Sequence, residues 1–345
     1  MNYIYNDGAG GIRDNWNWEI LLLGQEGQAW MDNGRLLLQA IKSHPRERVP
    51  RLIYADWLEE NGQPERAQFI RLNTTQEMTT NNTERAVSAR QANQIEKKYK
   101  SFWCQPGLNP KDVEYRDGMP FLHIEADRFL RDIETILVNH PDIIGVNIIN
   151  DLLEANLTEQ AARSPLLANF NQLAFSGFYR PTDELIGVLV QNPALAQVTH
   201  LSFPFPEISD AGAQAIAQCH YLSVLTSLTI MRRRALTPEG FVALSSGIYS
   251  DSLEHLSYSM CYLSDNHIRA IAEDGPKLPN LKTLDLSLSW STRTGLVSIA
   301  SSTRLPSSTT LEISGINGLR FTGTIEDLRT ALASRWRFGG ENYRN

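Results

Sequence analysis

Between Asn280 and Ser287 the chain reads leucine, two polar residues, leucine, one polar residue, leucine, at Leu281, Leu284 and Leu286. Apolar residues two apart predict a short strand with one buried face. Hexads of the same kind recur. Aligned on their middle apolar residue they give Leu122, Val146, Leu173, Leu201, Leu228, Leu256, Leu284 and Leu311, spaced 24, 27, 28, 27, 28, 28 and 27 residues apart. The flanking apolar positions are Met119 and Ile124, Ile143 and Ile148, Phe170 and Phe175, Val198 and Phe203, Leu225 and Ile230, Leu253 and Tyr258, Leu281 and Leu286, and in the weakest unit Ser308 and Ile313. Such a period marks an internal repeat.

Between the strands lie segments with helical signals. Thr182-Asp183, Ser209-Asp210, Thr237-Pro238 and Ser264-Asp265 each place a capping residue ahead of an apolar face. Each unit is therefore expected to lay down a strand, turn, and return through a helix. A unit this small cannot bury its own apolar face, so neighbouring units must stack. The predicted fold class is an α/β solenoid, with the repeats over residues 119–322 and a capping helix and tail over 323–345 carrying Leu328, Leu332 and Trp336.

The chain before the repeats follows another pattern. Residues 1–32 form an N-terminal extension with Gly8, Gly10, Gly11, Trp16 and Trp18; its glycines lack the strand and helix of a phosphate-binding loop. Residues 33–105 read as helical. Leu36, Leu37, Ala40 and Ile41 mark a first helix that stops near His44-Pro45, and a second follows Pro50 and ends at Asn61-Gly62. A third opens at Pro64-Glu65, and a polar fourth runs from Thr83 to Trp103. Pro106-Gly107 and Pro110 mark residues 106–118 as a linker.

Two resemblances attach to these patterns. The stretch Leu37–Asn73, with Pro45, the run RLIYADWLEE over Arg51–Glu60, Gly62 and Phe69-Ile70-Arg71, resembles the repeat-companion domain found beside repeat arrays in planctomycete-type bacteria. It departs from that family at Arg46–Val49, where acids are usual. The resemblance implies a helical cap for a repeat array and no chemistry, so Trp57 is expected to fill the bundle and Asp56 to pair with Arg51 or Arg71. The units of 27–28 residues with full helices resemble ribonuclease-inhibitor-like leucine-rich repeats. That resemblance implies a horseshoe with parallel strands on the concave face and helices outside. Cys261 followed by Leu263 fits the polar turn position of such repeats, which makes Cys261 a buried structural residue.

Composition narrows the function. The chain has 345 residues, 42% hydrophobic and 21% charged, enough for a sizeable core. A net charge of −7 argues against a dedicated nucleic-acid binder. Cys104, Cys219 and Cys261, an odd number without CxxC spacing, give neither a disulfide framework nor a zinc site, and the absence of a signal-like start points to a cytoplasmic chain. No apolar run approaches a membrane span. No HExxH, phosphate loop or GxSxG elbow occurs, and the seven histidines are scattered, so no catalytic, cofactor-binding or metal-binding residue is assigned.

The expected function is therefore non-catalytic binding of another protein, as adaptor, inhibitor or recognition subunit. Residues between the apolar teeth, His123, Asn147, Ala174, Ser202, Thr229, Ser257, Asp285 and Glu312, should project from the open sheet face, with His255 beside them. Just past the strands come Phe178, Tyr179 and Arg180, then Phe205, then Arg232, Arg233 and Arg234, then Tyr262, then Trp290. Aromatics and arginine dominate interface hot spots. Asp285, His255 and this rim are the candidate partner-binding residues. Two alternatives stand beside this reading: an enzyme site near Cys104 and His123, and phosphate or nucleic-acid binding at the Arg232–Arg234 turn.

Overall fold

The computed structural model describes residues 25–45, 47–78, 81–150, 155–177, 180–204, 206–231, 236–315 and 320–333, and divides into two compact units between Ala89 and Arg90. The first unit holds helices α1 (Gln25–Ser43), α2 (Val49–Glu60) and α3 (Pro64–Met78), and α4 (Asn82–Trp103) runs across the division. Its core is Leu38, Ile41, Tyr54, Ala55, Leu58, Ala67, Phe69 and Ile70. Helix α2 stops where Asn61 bonds back to the last carbonyls and Gly62 takes a φ of 75°. Trp57 stacks on Tyr54 at 5.6 Å, over Gly34, where an added Cβ would lie 2.7 Å from the indole. Asp56 pairs with Arg71 at 2.6 Å, and Glu59 shares the same guanidinium.

In the second unit one sheet contains β1 (Val113–Arg116), β2 (Met119–Glu125), β3 (Gly145–Ile149), β4 (Gln172–Ser176), β5 (His200–Pro204), β6 (Ser227–Met231), β7 (His255–Ser257), β8 (Thr283–Ser289), β9 (Thr310–Gly315) and β10 (Arg320–Thr324), in chain order. Strands β2 to β9 are parallel, and β1 and β10 pair antiparallel at the two edges. Helices α5 (Ala126–Asn139), α6 (Ala155–Arg163), α7 (Asp183–Leu189), α8 (Asp210–Ala217), α9 (Pro238–Ser245), α10 (Asp265–Arg269) and α11 (Arg293–Ser301) connect the parallel strands, and α12 (Ile325–Ala333) follows β10. The chain is thus an α/β protein with a mostly parallel sheet of ten strands among the described residues. The aligned teeth are register partners throughout: Leu122 with Val146, then Leu173, Leu201, Leu228, Leu256, Leu284 and Leu311, all buried.

Each edge carries an antiparallel strand outside the repeat. Residues 106–118 are not simply a linker, because they contain β1, which hairpins onto β2 through Asp117 (φ 51°) and Gly118 (φ 80°). Asp-Gly accepts the left-handed backbone such a turn requires. At the other edge β10 pairs with β9 and leads into α12, whose Leu328 is buried and whose Leu332 packs partly on the core. Trp336, like Trp16 and Trp18, lies outside the described residues.

The helices are capped by a rule that links successive units. The carboxylate of Asp183, first residue of α7, accepts from the backbone N–H and hydroxyl of Ser209, the N-cap of α8, at 2.8 and 2.6 Å. Asp210 does the same for Thr237 ahead of α9, at 3.0 and 2.7 Å, and Asp265 for Thr292 ahead of α11, at 2.7 and 2.6 Å. The third residue of each receiving helix is glycine, and a Cβ on Gly212, Gly240 or Gly295 would sit 2.3, 2.1 or 2.8 Å from the bridging oxygen. Where the first helix residue is not aspartate, the next helix caps itself. Pro238 begins α9, and α10 uses His267, whose Nδ1 accepts from the Ser264 N–H at 3.2 Å. Arg293 begins α11, and ahead of α12 the side chain of Asp327 accepts from the Thr324 N–H at 2.9 Å.

Four buried side chains inside the stack donate to backbone carbonyls, three of them across to the preceding unit. The thiols of Cys219 and Cys261 are buried and donate to Val190 O and Ile230 O. The Tyr249 and Tyr258 hydroxyls donate to Leu244 O at 2.7 Å and Phe241 O at 3.1 Å, and burial pushes both phenols above their ordinary titration range. Among the described residues no helix is long and apolar enough to cross a membrane.

Candidate functional site

Because side chains alternate across a strand, the residues between the teeth occupy the face opposite the helices. His123, Asn147, Ala174, Ser202, Thr229, Ser257, Asp285 and Glu312 are successive register partners and form one row. The middle of the row is small and neutral, so the chemistry gathers at its two ends.

The β1–β4 end is a closed polar network. Glu114 accepts from Arg116 at 3.0 Å and from His123 Nε2 at 3.1 Å, while the Asn147 amide bridges His123 Nδ1 at 3.2 Å and the Ser176 hydroxyl at 2.9 Å. With Ser176 donating to the Asn147 oxygen, the Asn147 nitrogen faces Nδ1, which places the ring proton on Nε2. Burial raises the Glu114 carboxyl, but Arg116 and His123 outweigh it and hold the group below its usual range. Arg116 also covers the Phe121 ring at 3.4 Å. Cys104 is buried in the same core as Leu122 and Ile124. His123 alternates with those two residues onto the opposite face, so Cys104 and His123 do not form a nucleophile and base pair.

At the β7–β9 end the polar groups are open to approach. Asp285 accepts from the Ser257 hydroxyl and from the Ser287 N–H, both at 2.9 Å, which fixes its carboxylate on the face. Glu312 is its register partner on β9 and is exposed, and His255 stands exposed two residues before Ser257 on β7. Past β7, Met260 and Tyr262 have φ values of 61° and 56°, and Leu288 near the end of β8 has 56°. Bulky side chains rarely adopt this left-handed region, which costs about 1–3 kcal/mol per residue. The loops are held by Met260 N–H to Ser287 O at 2.7 Å, Leu288 N–H to Ser314 Oγ at 3.0 Å and Trp290 N–H to Leu263 O at 2.8 Å. The held backbone presents Trp290, 59% exposed, edge-to-face with Tyr262 at 5.8 Å, beside Leu288, 42% exposed.

Leu288 shows how the edge is made. Continued alternation from Leu284 and Leu286 predicts a third inward leucine there. A bulge between Ser287 and Ser289 instead turns Leu288 outward and buries Ser289, whose hydroxyl meets that of Ser291 at 2.9 Å. Below Leu288 a hollow of about 310 Å³ is lined by Ser287, Glu312, Ser314, Arg320 and Thr322.

Of the candidate partner-binding residues, Tyr262 and Trp290 are in contact, and Asp285 and His255 lie on the adjoining face. Arg180 is engaged by Glu207 at 3.2 Å, beside a strand-like bridge between Thr182 and Glu207, so part of its role is to tie neighbouring turns. Phe178, Tyr179, Phe205, Arg232, Arg233 and Arg234 lie outside the described residues. Sequence reasoning missed Met260, Leu288 and Arg320. Only Leu288 had a visible signal, as an apolar residue one step beyond an already complete strand. Among the described residues no three His, Cys, Asp or Glu side chains converge to hold a metal. No protein-family model matches the chain, and no curated protein matches it.

Proposed function

We propose that this chain is a non-catalytic protein-binding scaffold, a leucine-rich-repeat horseshoe with a repeat-companion cap, that receives a partner protein on its open sheet face and the adjoining loop edge. The observation that carries the reading is the edge where Leu288 and Trp290 stand exposed, held by loops in which Met260, Tyr262 and Leu288 take left-handed backbone. Folding gains nothing from exposing Trp290 and Leu288. Recognition does, since a rigid tryptophan beside tyrosine is the kind of anchor that dominates interface energetics. The polar face beside it supplies acceptors and donors that set orientation. Arg232, Arg233 and Arg234, which follow β6 in the sequence, are included in the proposal.

A photo-crosslinking amino acid placed at position 290 tests the proposal in cells that make the full chain. The expected result is a discrete crosslinked protein, absent when the probe replaces Val138, an exposed residue of α5. No adduct at 290, or the same adducts at 138, would overturn it.

A further inference from the structure

We infer that the β7–β9 end of the open face receives an extended partner segment bearing an arginine, with the guanidinium at Asp285 and Glu312 and an apolar neighbour over Leu288 and Trp290. The inference rests on the binding reading above and names the chemistry of the partner.

Asp285 and Glu312 are register partners on adjacent parallel strands, with backbones about 4.8 Å apart. Like charges placed side by side in a sheet repel and destabilise it. Among the described residues neither carboxylate has an ion pair. Lys282, the nearest cation in sequence, is engaged by Glu254 at 2.9 Å, and the partners of Asp285 are a serine hydroxyl and a backbone N–H. Arg320 lines the same hollow from β10 and makes no ion pair with Glu312. Two negative charges on the open face, Glu312 exposed and Asp285 half-buried and fixed by two hydrogen bonds, are complementary to a single planar cation that spans both. Arginine fits better than lysine because its fork bonds two acceptors at once.

The apolar edge makes the occupant a segment and not an ion. Leu288 follows Asp285 by three residues, roughly 10 Å along a strand. An extended peptide with an arginine and, two or three positions on, a leucine or aromatic residue matches both features. Trp290 also offers a ring face to which a second cation can bind.

The probe is an arrayed set of random eight-residue peptides presented to the full-length chain, with bound sequences then measured by fluorescence anisotropy. The expected result is enrichment of arginine with an apolar residue two or three positions on, depletion of acidic peptides, and at least tenfold weaker binding to both Glu312→Gln and Trp290→Ala. Glu312 is exposed and makes no bond that the fold requires, so Glu312→Gln stays decisive even if Asp285→Asn disturbs the turn at Ser287. No peptide bound, no basic enrichment, or unchanged affinity in both variants would overturn the inference. If the probe at position 290 still traps a partner in that case, the scaffold reading stands and only the arginine assignment falls.

Discussion

Replacing Gly240 by alanine should change sign according to what stands at position 210. In the native chain the new methyl would lie 2.1 Å from the Asp210 carboxylate oxygen. That carboxylate is held by the Thr237 N–H and hydroxyl, so it must leave both. Losing a helix N-cap arrangement costs about 0.5–2 kcal/mol, and alanine over glycine inside a helix returns about 0.5–1 kcal/mol. The central expectation is destabilisation of about 0.5 kcal/mol. In an Asp210→Ala background the obstacle is gone, and the same substitution should stabilise by up to about 1 kcal/mol. At roughly 2–4 °C per kcal/mol for a unit of this size, the melting temperature should fall by about 1–2 °C in the native background and rise by up to about 3 °C in the Asp210→Ala background. Circular dichroism melts and urea titrations of the four chains measure this as a double-mutant cycle. Shifts of the same sign in both backgrounds would refute the bridging account.

The remaining predictions use the same reasoning. Asp265→Ala removes three acceptor contacts, to Thr292 N, Thr292 Oγ1 and Gly295 N, and should cost about 2 kcal/mol in urea unfolding, against less than about 0.5 kcal/mol for Asp251→Ala on the surface. The pair Pro238→Asp with His267→Gly should rebuild the bridge missing between α9 and α10, so the double variant should melt well above His267→Gly alone. Burial raises the titration of Tyr249 and Tyr258 in the folded state. Their contribution is therefore complete below the ordinary tyrosine value of about 10 and is lost as pH rises beyond it. Melting temperature should fall between pH 10 and 12, and a flat profile would contradict the assignment.

The sheet register was legible because the parallel strands repeat the same local pattern, and the teeth from Leu122 to Leu311 became direct partners. The edge strands were less visible. Val113–Arg116 is short, lies between prolines and Asp117-Gly118, and matches no repeat, although its Asp-Gly turn is a hairpin signal in its own right. The carboxylate bridges were invisible to spacing alone, since Asp210 and Thr237 meet only once adjacent units have stacked. At the candidate site the aromatic pair Tyr262 and Trp290 followed from equivalent turn positions, and the joint presence of Asp285 and Glu312 followed from the register. The outward turn of Leu288 did not, because it depends on a bulge that breaks the alternation used to read the strand.

The caps also carry a direction. Asp183 serves Ser209, Asp210 serves Thr237 and Asp265 serves Thr292, always the earlier residue for the later helix. A chain emerging from the ribosome therefore has each carboxylate in place before the helix that needs it exists, and α10 and α12 bring their own. Shortening the protein from its C-terminal side leaves the remaining caps intact. Beginning it at Ser209, Thr237 or Thr292 keeps the N-cap residue but removes the carboxylate that holds it.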